Sequence, residues 1–296
     1  MRIGIDLGGT KTEAVLMDAN GEIRERLRRP TPASAGYDAI LTNLTVIISE
    51  LENLAGGSCR VGIGTPGSLA PGTNLLRNSN TVCLNNRPFK QDLEARLGRT
   101  IRIANDANCF ALSEAIDGAG AGVDTVFGVI MGTGVGGGIV VNQSLIEGKQ
   151  HIAGEWGHNP LDPDGPECYC GRRGCIETFL SGPGLINAYQ RAGGSVDAGS
   201  QDIVSAARMG EKPASQVFEQ YLENFGRALA TVINILDPDV VVLGGGMSGI
   251  DELYDQGKAA VARYVFNDPL LTSILPNRHG DSSGVRGAAW LWNPQE

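Results

Sequence analysis

The stretch RIGIDLGGTKTEAVLM, residues 2–17, places a carboxylate and a glycine turn between two apolar segments. Arg2–Leu7 predicts a buried strand, and Glu13–Met17 predicts the hairpin partner that follows the turn. Backbone N–H groups of a glycine-rich turn can converge on phosphate oxygens, because no Cβ blocks the approach. By itself, the turn at Asp6–Thr10 is equally compatible with an ordinary hairpin.

The same pattern returns in the middle of the chain. Thr125–Met131 predicts an apolar strand, the tripeptide at 132–134 (Gly-Thr-Gly) a turn, and Gly138–Val141 a second strand. Two halves that begin alike predict duplicated α/β domains that flank an active-site cleft.

Apolar periodicity and glycines place the other elements. Helices are expected at 37–54, 90–97, the stretch after Asn105, 217–236 and 284–292, and strands at 60–64, 101–104 and 240–243. We expect a small α/β domain at 1–117, completed by a C-terminal helix at about 284–296, and a large α/β domain at 118–283.

Composition narrows the class of protein. A hydrophobic content of 42% is ordinary for a globular chain, and a net charge of −9 argues against nucleic acid as a partner. No apolar run approaches the roughly 18 residues that span a bilayer, which argues against a membrane. Three of the six cysteines crowd into 168–175, unlike a disulfide framework, so we expect a reduced, cytoplasmic protein.

The usual phosphate-binding motifs do not explain the glycines. The Gly-Lys pair at 148–149 is followed by Gln150, which excludes a P-loop. Two G-x-G-x-x-G matches, at 62–67 and 132–137, lack the strand–turn–helix context of a dinucleotide site. Asp6 at a strand end is costly unless it holds a cation or hydrogen bonds, and Mg²⁺ on a nucleotide would satisfy it. Donors suited to phosphate oxygens follow at Thr10, Lys11 and Thr133.

A second carboxylate, Asp106, follows the predicted strand at 101–104. A helix N-cap is a sufficient reason for Asn105 or Asp106 at this position. The functional hypothesis makes Asp106 the base that takes the proton from an attacking hydroxyl, with Asn105 orienting the same substrate. The residues alone leave both interpretations open.

The segment EWGHNPLDPDGPECYCGRRGCIE, residues 155–177, combines one imidazole with three thiols. His158, Cys168, Cys170 and Cys175 are typical of a closed structural zinc site. Unligated buried cysteines or a local redox pair are the alternatives, and an iron–sulfur centre is disfavoured by the histidine. The flanking Glu155 and Glu177 could accept hydrogen bonds from sugar hydroxyls, or could simply be solvated.

Taken together, these segments resemble the ROK family of sugar kinases and regulators, within the actin/hexokinase/Hsp70 superfamily. The resemblance extends over essentially the whole chain. It rests on IDLGGTKT at 5–12, GIGTPG at 62–67, NDANCFALSEA at 105–115, GTGVGGG at 132–138, GEWGH at 154–158, CYCGRRGCIE at 168–177 and LGGGMS at 243–248.

The resemblance implies two actin-like (ribonuclease H-like) domains, a sugar and ATP as partners, and Asp106 as the catalytic base. Sugar contacts are expected at Gly67, Asn80, Asn105, Glu155, His158 and Glu177, so that His158 serves both sugar and zinc. Contacts to ATP and Mg²⁺ are expected at Asp6, Gly8, Gly9, Thr10, Lys11, Gly132, Thr133, Gly134, Gly244 and Gly245. Zinc is expected on His158, Cys168, Cys170 and Cys175, and the expected assembly is a homodimer.

Within the family, GEWGHNPL and HGDSSGVRGAAWLW look most like bacterial fructokinase of the manno(fructo)kinase type, a choice favoured by Trp156 and Asn159. Phosphorylation of fructose at its 6-hydroxyl is therefore expected, with N-acetylglucosamine kinase and glucokinase as alternatives. A sugar-sensing regulator would need a helix-turn-helix ahead of the first strand, which this sequence does not show. An actin-like assembly protein would not need the zinc segment.

Overall fold

The computed structural model describes residues 1–292. Its strands are β1 (Arg2–Leu7), β2 (Lys11–Met17), β3 (Ile23–Pro30), β4 (Arg60–Thr65), β5 (Ser68–Leu69), β6 (Leu76–Arg77), β7 (Arg102–Asn105), β8 (Thr125–Met131), β9 (Val135–Val141), β10 (Ser144–Leu145), β11 (Val240–Gly244) and β12 (Ser273–Pro276). Its α-helices are α1 (Tyr37–Ala55), α2 (Phe89–Leu97), α3 (Asp106–Ile116), α4 (Glu177–Leu180), α5 (Gly182–Arg191), α6 (Ser200–Arg208), α7 (Lys212–Leu236), α8 (Gln256–Ala262) and α9 (Ser283–Trp290).

The first sheet has the order β3-β2-β1-β4-β7. Strands β1 and β2 form the expected antiparallel hairpin, whereas β1, β4 and β7 run parallel. In this register Asp6 lies beside Gly64, and Thr65 lies beside Asn105. The carboxyl ends of the three parallel strands therefore bring Asp6 and Asn105 to one edge of the sheet.

The second sheet has the order β10-β9-β8-β11-β12. Strands β8 and β11 are parallel, with Ile130 paired to Gly244. The turn that begins at Gly132 and the glycines that begin at Gly244 consequently leave the same edge of this sheet.

The chain forms two compact units. The first comprises 1–122, 138–153 and the residues from Arg278 onward, and the second comprises 123–137 and 154–277. This division falls within β9, whereas the boundaries expected from sequence, which stay a prediction, place 138–153 in the large domain.

In the first unit, α1 contributes a continuous apolar face to the core. The apolar periodicity of this stretch predicts a buried face at Ile40, Leu41, Leu44, Ile47 and Ile48. These residues are buried, and Leu51 joins them. The C-terminal helix α9 packs on β1 and β4, as expected for a helix that returns to the first domain. That packing is close, since a Cβ on Gly62 would lie 1.9 Å from Ala288 O. The predicted extension of this helix to residue 296 includes 293–296, which lie outside the described residues.

The second unit is built around α7, a 25-residue helix whose apolar side is buried against α5, α6 and α8. The sequence predicts this helix from Val217, five residues after its observed start, and does not predict α5, α6, α8 or β12. Among the helices within residues 1–292, none has both the length and the apolar character required to cross a bilayer.

Candidate active site

The turn between β1 and β2 is fixed by a residue that lies outside it. Gly8 N donates to Lys11 O at 3.0 Å, which closes the turn. Thr31 donates its hydroxyl to Gly8 O at 2.7 Å and its amide to Thr10 O at 2.9 Å. Because these bonds hold two turn carbonyls, the backbone of the turn is preorganised. Thr31 was missed by sequence reasoning, since no motif marks it.

Two carboxylates with raised pKa values lie at this edge of the first sheet. Burial raises the pKa of Asp6 to about 6, with further contributions from the charges of Asp106 and Glu13. Burial also raises the pKa of Asp106. A carboxylate whose pKa is raised towards neutrality is a stronger base, which suits proton abstraction from a hydroxyl. The pair could also hold a divalent cation through oxygen ligands.

Asn105 caps α3, so the structural interpretation of this residue is confirmed. Its Oδ1 accepts from Ala107 N at 2.9 Å, and its Nδ2 donates to Gly67 O at 3.2 Å. An amide has two N–H groups and two lone pairs, so capacity for a substrate remains. Asp106 Oδ1 shares the same Ala107 N–H at 2.9 Å, which fixes the orientation of its carboxylate.

Asn80 lies beside the first glycine turn. A Cβ on Gly9 would be 3.3 Å from Thr81 Oγ1 and 3.9 Å from Asn80 Oδ1. Asn85 holds this loop by accepting from Ser79 N at 2.9 Å. The structure therefore places Asn80, an expected sugar contact, next to the glycine turn after Asp6, which is expected to bind phosphate.

Lys11 pairs with a buried anion. Glu13, whose side chain is 3% exposed, lies 3.5 Å from Lys11 Nζ and 2.8 Å from Arg28 Nε, and Arg26 completes the pairing. The Lys11 side chain nevertheless remains 54% exposed, so its ammonium group can still reach an added phosphate. Arg26 also donates to Ser282 Oγ at 3.0 Å, which ties β3 to the start of α9.

The second glycine turn is equally well anchored. Gly132 N donates to Gly134 O at 2.9 Å, and Gly182 N donates to Gly132 O at 2.8 Å. Gly245 adopts a positive φ of +80°, and a Cβ there would lie 2.4 Å from Met131 O. A side chain at residue 245 would therefore collide with the end of β8, which explains this glycine.

His158, Cys168, Cys170 and Cys175 converge, as the sequence predicts. Their ligand atoms all lie within 4.8 Å of one another. His158 Nδ1 is 3.5 Å from Cys168 Sγ, and the Sγ atoms of Cys170 and Cys175 are 3.6 Å apart. Tetrahedral zinc with three sulfurs and one nitrogen requires ligand separations of about 3.5–3.8 Å. All six cysteines lie within the described part of the chain and are free thiols. The donor set therefore fits zinc, and the two separations of 3.5 and 3.6 Å already match this tetrahedral spacing.

The other ring nitrogen of His158 meets a residue that sequence reasoning missed. Nε2 lies 3.0 Å from the hydroxyl of Tyr169, and the two rings pack edge to face. Tyr169 is 84% exposed, so its ring can move without disturbing the core. The imidazole thus presents Nδ1 to the thiols and Nε2 to a polar partner, which is compatible with the double role implied for His158.

The two glutamates beside the cluster differ in setting. Glu155 is exposed at the start of the loop that leads to the cluster. Glu177 begins α4 and accepts from Val135 N at 2.9 Å.

Trp156 is 3% exposed and packs edge to face on Phe127, so it is a core residue and gives no reason to choose one sugar over another.

The predicted residues fall into two groups. The first unit holds Asp6, Gly8, Gly9, Thr10, Lys11, Gly67, Asn80, Asn105 and Asp106. The second unit holds Gly132, Thr133, Gly134, Glu155, His158, Cys168, Cys170, Cys175, Glu177, Gly244 and Gly245. Within each unit, a glycine turn lies next to residues expected to contact a sugar.

Comparison with known proteins matches nearly the whole chain. The model of the ROK family covers residues 2–295. N-acetyl-D-glucosamine kinase from Escherichia coli O1:K1 is 36% identical over 301 aligned positions, which span 98% of this chain and 99% of that protein.

Solved structures agree with the sequence comparison. A ROK hexokinase from Thermus thermophilus superimposes with a TM-score of 0.87 at 30% identity, covering 97% of this chain and 96% of the other. A ROK glucokinase from Streptomyces griseus, solved with glucose and AMPPNP, gives 0.77 at 30% identity and covers 98% of each chain. The expected fold, a two-domain α/β fold of the actin-like superfamily, is confirmed.

Proposed function

The chain belongs to the ROK family and is an ATP-dependent sugar kinase, and from this premise we propose that it phosphorylates the 6-hydroxyl of N-acetyl-D-glucosamine. The 36% identity to N-acetyl-D-glucosamine kinases over almost the full length supports this acceptor. The fructose preference expected from sequence has less support, because Trp156, one of its two indicators, is buried in the core.

The observation that carries the chemistry is the pair of carboxylates at one edge of the first sheet. Asp106, oriented by Ala107 N and made more basic by burial, takes the proton from the attacking hydroxyl. Asp6 would hold Mg²⁺ on the nucleotide, and the ion would neutralise charge on the phosphate oxygens. Donors of the glycine turn that follows Asp6 stabilise the negative charge that moves with the phosphoryl group.

Sugar recognition is assigned to polar groups held rigidly by the fold. Asn105 is fixed by its cap and by Gly67 O, and Glu177 by Val135 N. Gly67, Asn80, Glu155 and His158 complete the proposed set. Zinc on His158 and the three cysteines would supply structural rigidity to the loop that leads to Glu177.

A substrate panel tests the acceptor. N-acetyl-D-glucosamine, glucose, mannose and fructose are compared by kcat/KM with ATP and Mg²⁺, and we expect the first to be highest. A clear preference for fructose would restore the fructokinase hypothesis and overturn this part of the proposal.

Asp106→Asn tests the chemistry. The change removes the base and keeps its shape, so kcat should fall by about 10²–10⁴ while sugar binding, measured by calorimetry, is retained. Turnover within a few-fold of the unmodified protein would contradict the assignment of Asp106. Sugar binding without turnover in the unmodified protein would instead favour a sugar-sensing role.

A further inference from the structure

One hydrogen bond joins the second glycine turn to a proposed sugar contact. Val135 N donates to Glu177 Oε2 at 2.9 Å. A Cβ on Gly134 would lie 2.7 Å from the same oxygen and 3.7 Å from the carboxyl carbon. The carboxylate of Glu177 therefore occupies the space that the missing side chain of Gly134 leaves open.

Glu177 is in turn held by the loop that carries the cysteines. Its amide donates to Gly157 O at 2.8 Å, and Ile176 N donates to Asn159 O at 2.9 Å. After α4 ends, Gly182 N donates to Gly132 O at 2.8 Å. The segment 177–182 thus contacts the turn 132–135 at both of its ends.

We propose that Glu177 positions the glycine turn 132–135, which is proposed to bind phosphate, and that it also contacts the sugar. The affinities for sugar and for nucleotide are then coupled through one carboxylate. The inference rests on the proposed function. An ionised carboxylate offers about four lone-pair sites, so Oε2 can hold Val135 N while Oε1 accepts from a sugar hydroxyl. A sugar bound to Oε1 restrains the same group that orders the turn. Since coupling between binding sites is reciprocal, nucleotide then raises sugar affinity by the same factor.

The first test removes the acceptor. Calorimetry with a non-hydrolysable ATP analogue, in the absence of sugar, should show about fivefold to tenfold weaker binding for Glu177→Ala. Glu177→Gln keeps a carbonyl oxygen that can accept from Val135 N, so nucleotide affinity should return to within about twofold of the unmodified protein. Unchanged nucleotide affinity in Glu177→Ala overturns the proposal.

The second test approaches the same contact from the turn. Gly134→Ala places a methyl group against the Glu177 carboxylate and should weaken binding of N-acetyl-D-glucosamine, measured without nucleotide, by about fivefold or more. Gly249→Ala, in the same unit and outside the proposed sites, is the matched control, because a Cβ there would meet no heavy atom of another part of the chain within 4 Å. Sugar affinity of this control should stay within about twofold. Equal losses in both variants, or no loss in Gly134→Ala, contradict the proposal.

Two further comparisons distinguish a failure of the Glu177 proposal from a failure of the proposed function. In a Glu177→Ala background, Gly134→Ala should cause no further loss of sugar affinity, because the carboxylate it displaces is gone. Should Gly134→Ala fail to fold, the Glu177→Ala and Glu177→Gln pair decides the matter alone. If the unmodified protein phosphorylates none of the sugars in the panel, the proposed function fails. If it turns over while Glu177→Ala leaves nucleotide affinity unchanged, only this inference fails.

Discussion

Asp6 lowers the free energy of unfolding near neutral pH, and the same carboxylate is the proposed ligand of Mg²⁺. Its carboxylate stands at the end of an apolar strand, and the charges of Asp106 and Glu13 add to the cost of ionising it. With a pKa near 6 in the fold against about 3.9 in an unfolded chain, the folded state keeps a proton that the unfolded state releases. The free energy of unfolding therefore falls as pH rises from about 4 to 6, and the penalty is complete above that range.

Asp6→Asn should for this reason stabilise the ligand-free protein at pH 7.5. We expect a gain of about 1–2 kcal/mol, which shrinks at pH 4.5, where Asp6 is protonated in the fold. Urea unfolding at both pH values measures it, and kinase activity should be lost because Mg²⁺ loses an acidic ligand. Asp197→Asn, at an exposed position, is the control and should change neither quantity. Equal stability of Asp6→Asn and the unmodified protein at pH 7.5 would contradict this account.

At the residue scale, sequence predicts those site residues whose chemistry is unusual for their position. A carboxylate beside glycines at a strand end identifies Asp6, and four metal ligands in one short segment identify the cluster around His158. Thr31 could not be found in this way, because its hydroxyl acts on the turn only after β3 pairs with β2. Trp156 served as a motif-level indicator of the fructokinase type, but as a core residue packed on Phe127 it does not show which sugar is bound.

At the element scale, Glu114 on α3 holds the start of the C-terminal helix. It is fully buried and accepts from Ala119 N at 2.9 Å, Arg278 N at 3.0 Å and Ser283 Oγ at 2.7 Å. Two oxygens receiving several donors satisfy the buried carboxylate, which would otherwise be costly. This one side chain therefore fixes where α9 begins.

Glu114→Gln should destabilise the protein by about 1–3 kcal/mol, because one acceptor oxygen becomes an NH₂ group that faces donors. The urea midpoint measures the effect. Ser283→Ala removes one donor and leaves the carboxylate its others, so a smaller loss is expected. A Glu114→Gln variant no less stable than Ser283→Ala would mean that the carboxylate does not hold the helix.

Apolar patterns in the sequence locate some helices and strands of this fold but not others. The apolar periods of α1 and the continuous apolar runs of β1 and β8 gave these elements to within one residue. β3 carries four arginines in eight residues, a composition that suits a solvated strand and a solvated turn equally well. It is a strand because Arg26 and Arg28 pair with the buried Glu13 of β2, a cross-strand contact that the sequence of β3 does not contain.

At the scale of the whole molecule, each unit repeats one design. In each unit a strand with a parallel neighbour, β1 or β8, ends in a glycine turn at the sheet edge. Groups from later in the chain hold that turn. Thr31 has this role in the first unit, and Glu177 with Gly182 has it in the second. The repetition was visible in the sequence as two strand–turn–strand patterns, but the residues that hold the turns are not repeated.

Removal of zinc is expected to loosen part of the second unit and to leave the core of the first unit unchanged. If zinc holds the cluster of His158, Cys168, Cys170 and Cys175, chelation leaves the loop 157–182 without the ligand that organises it. Amide hydrogen exchange should then rise in 157–182 and in the turn 132–135, which that segment contacts through Glu177 and Gly182. Exchange in α1, whose apolar face is buried in the other unit, should remain unchanged and serves as the internal control. Elemental analysis should find one zinc per chain before chelation, and a protein free of zinc with unaltered exchange in 157–182 would contradict the assignment.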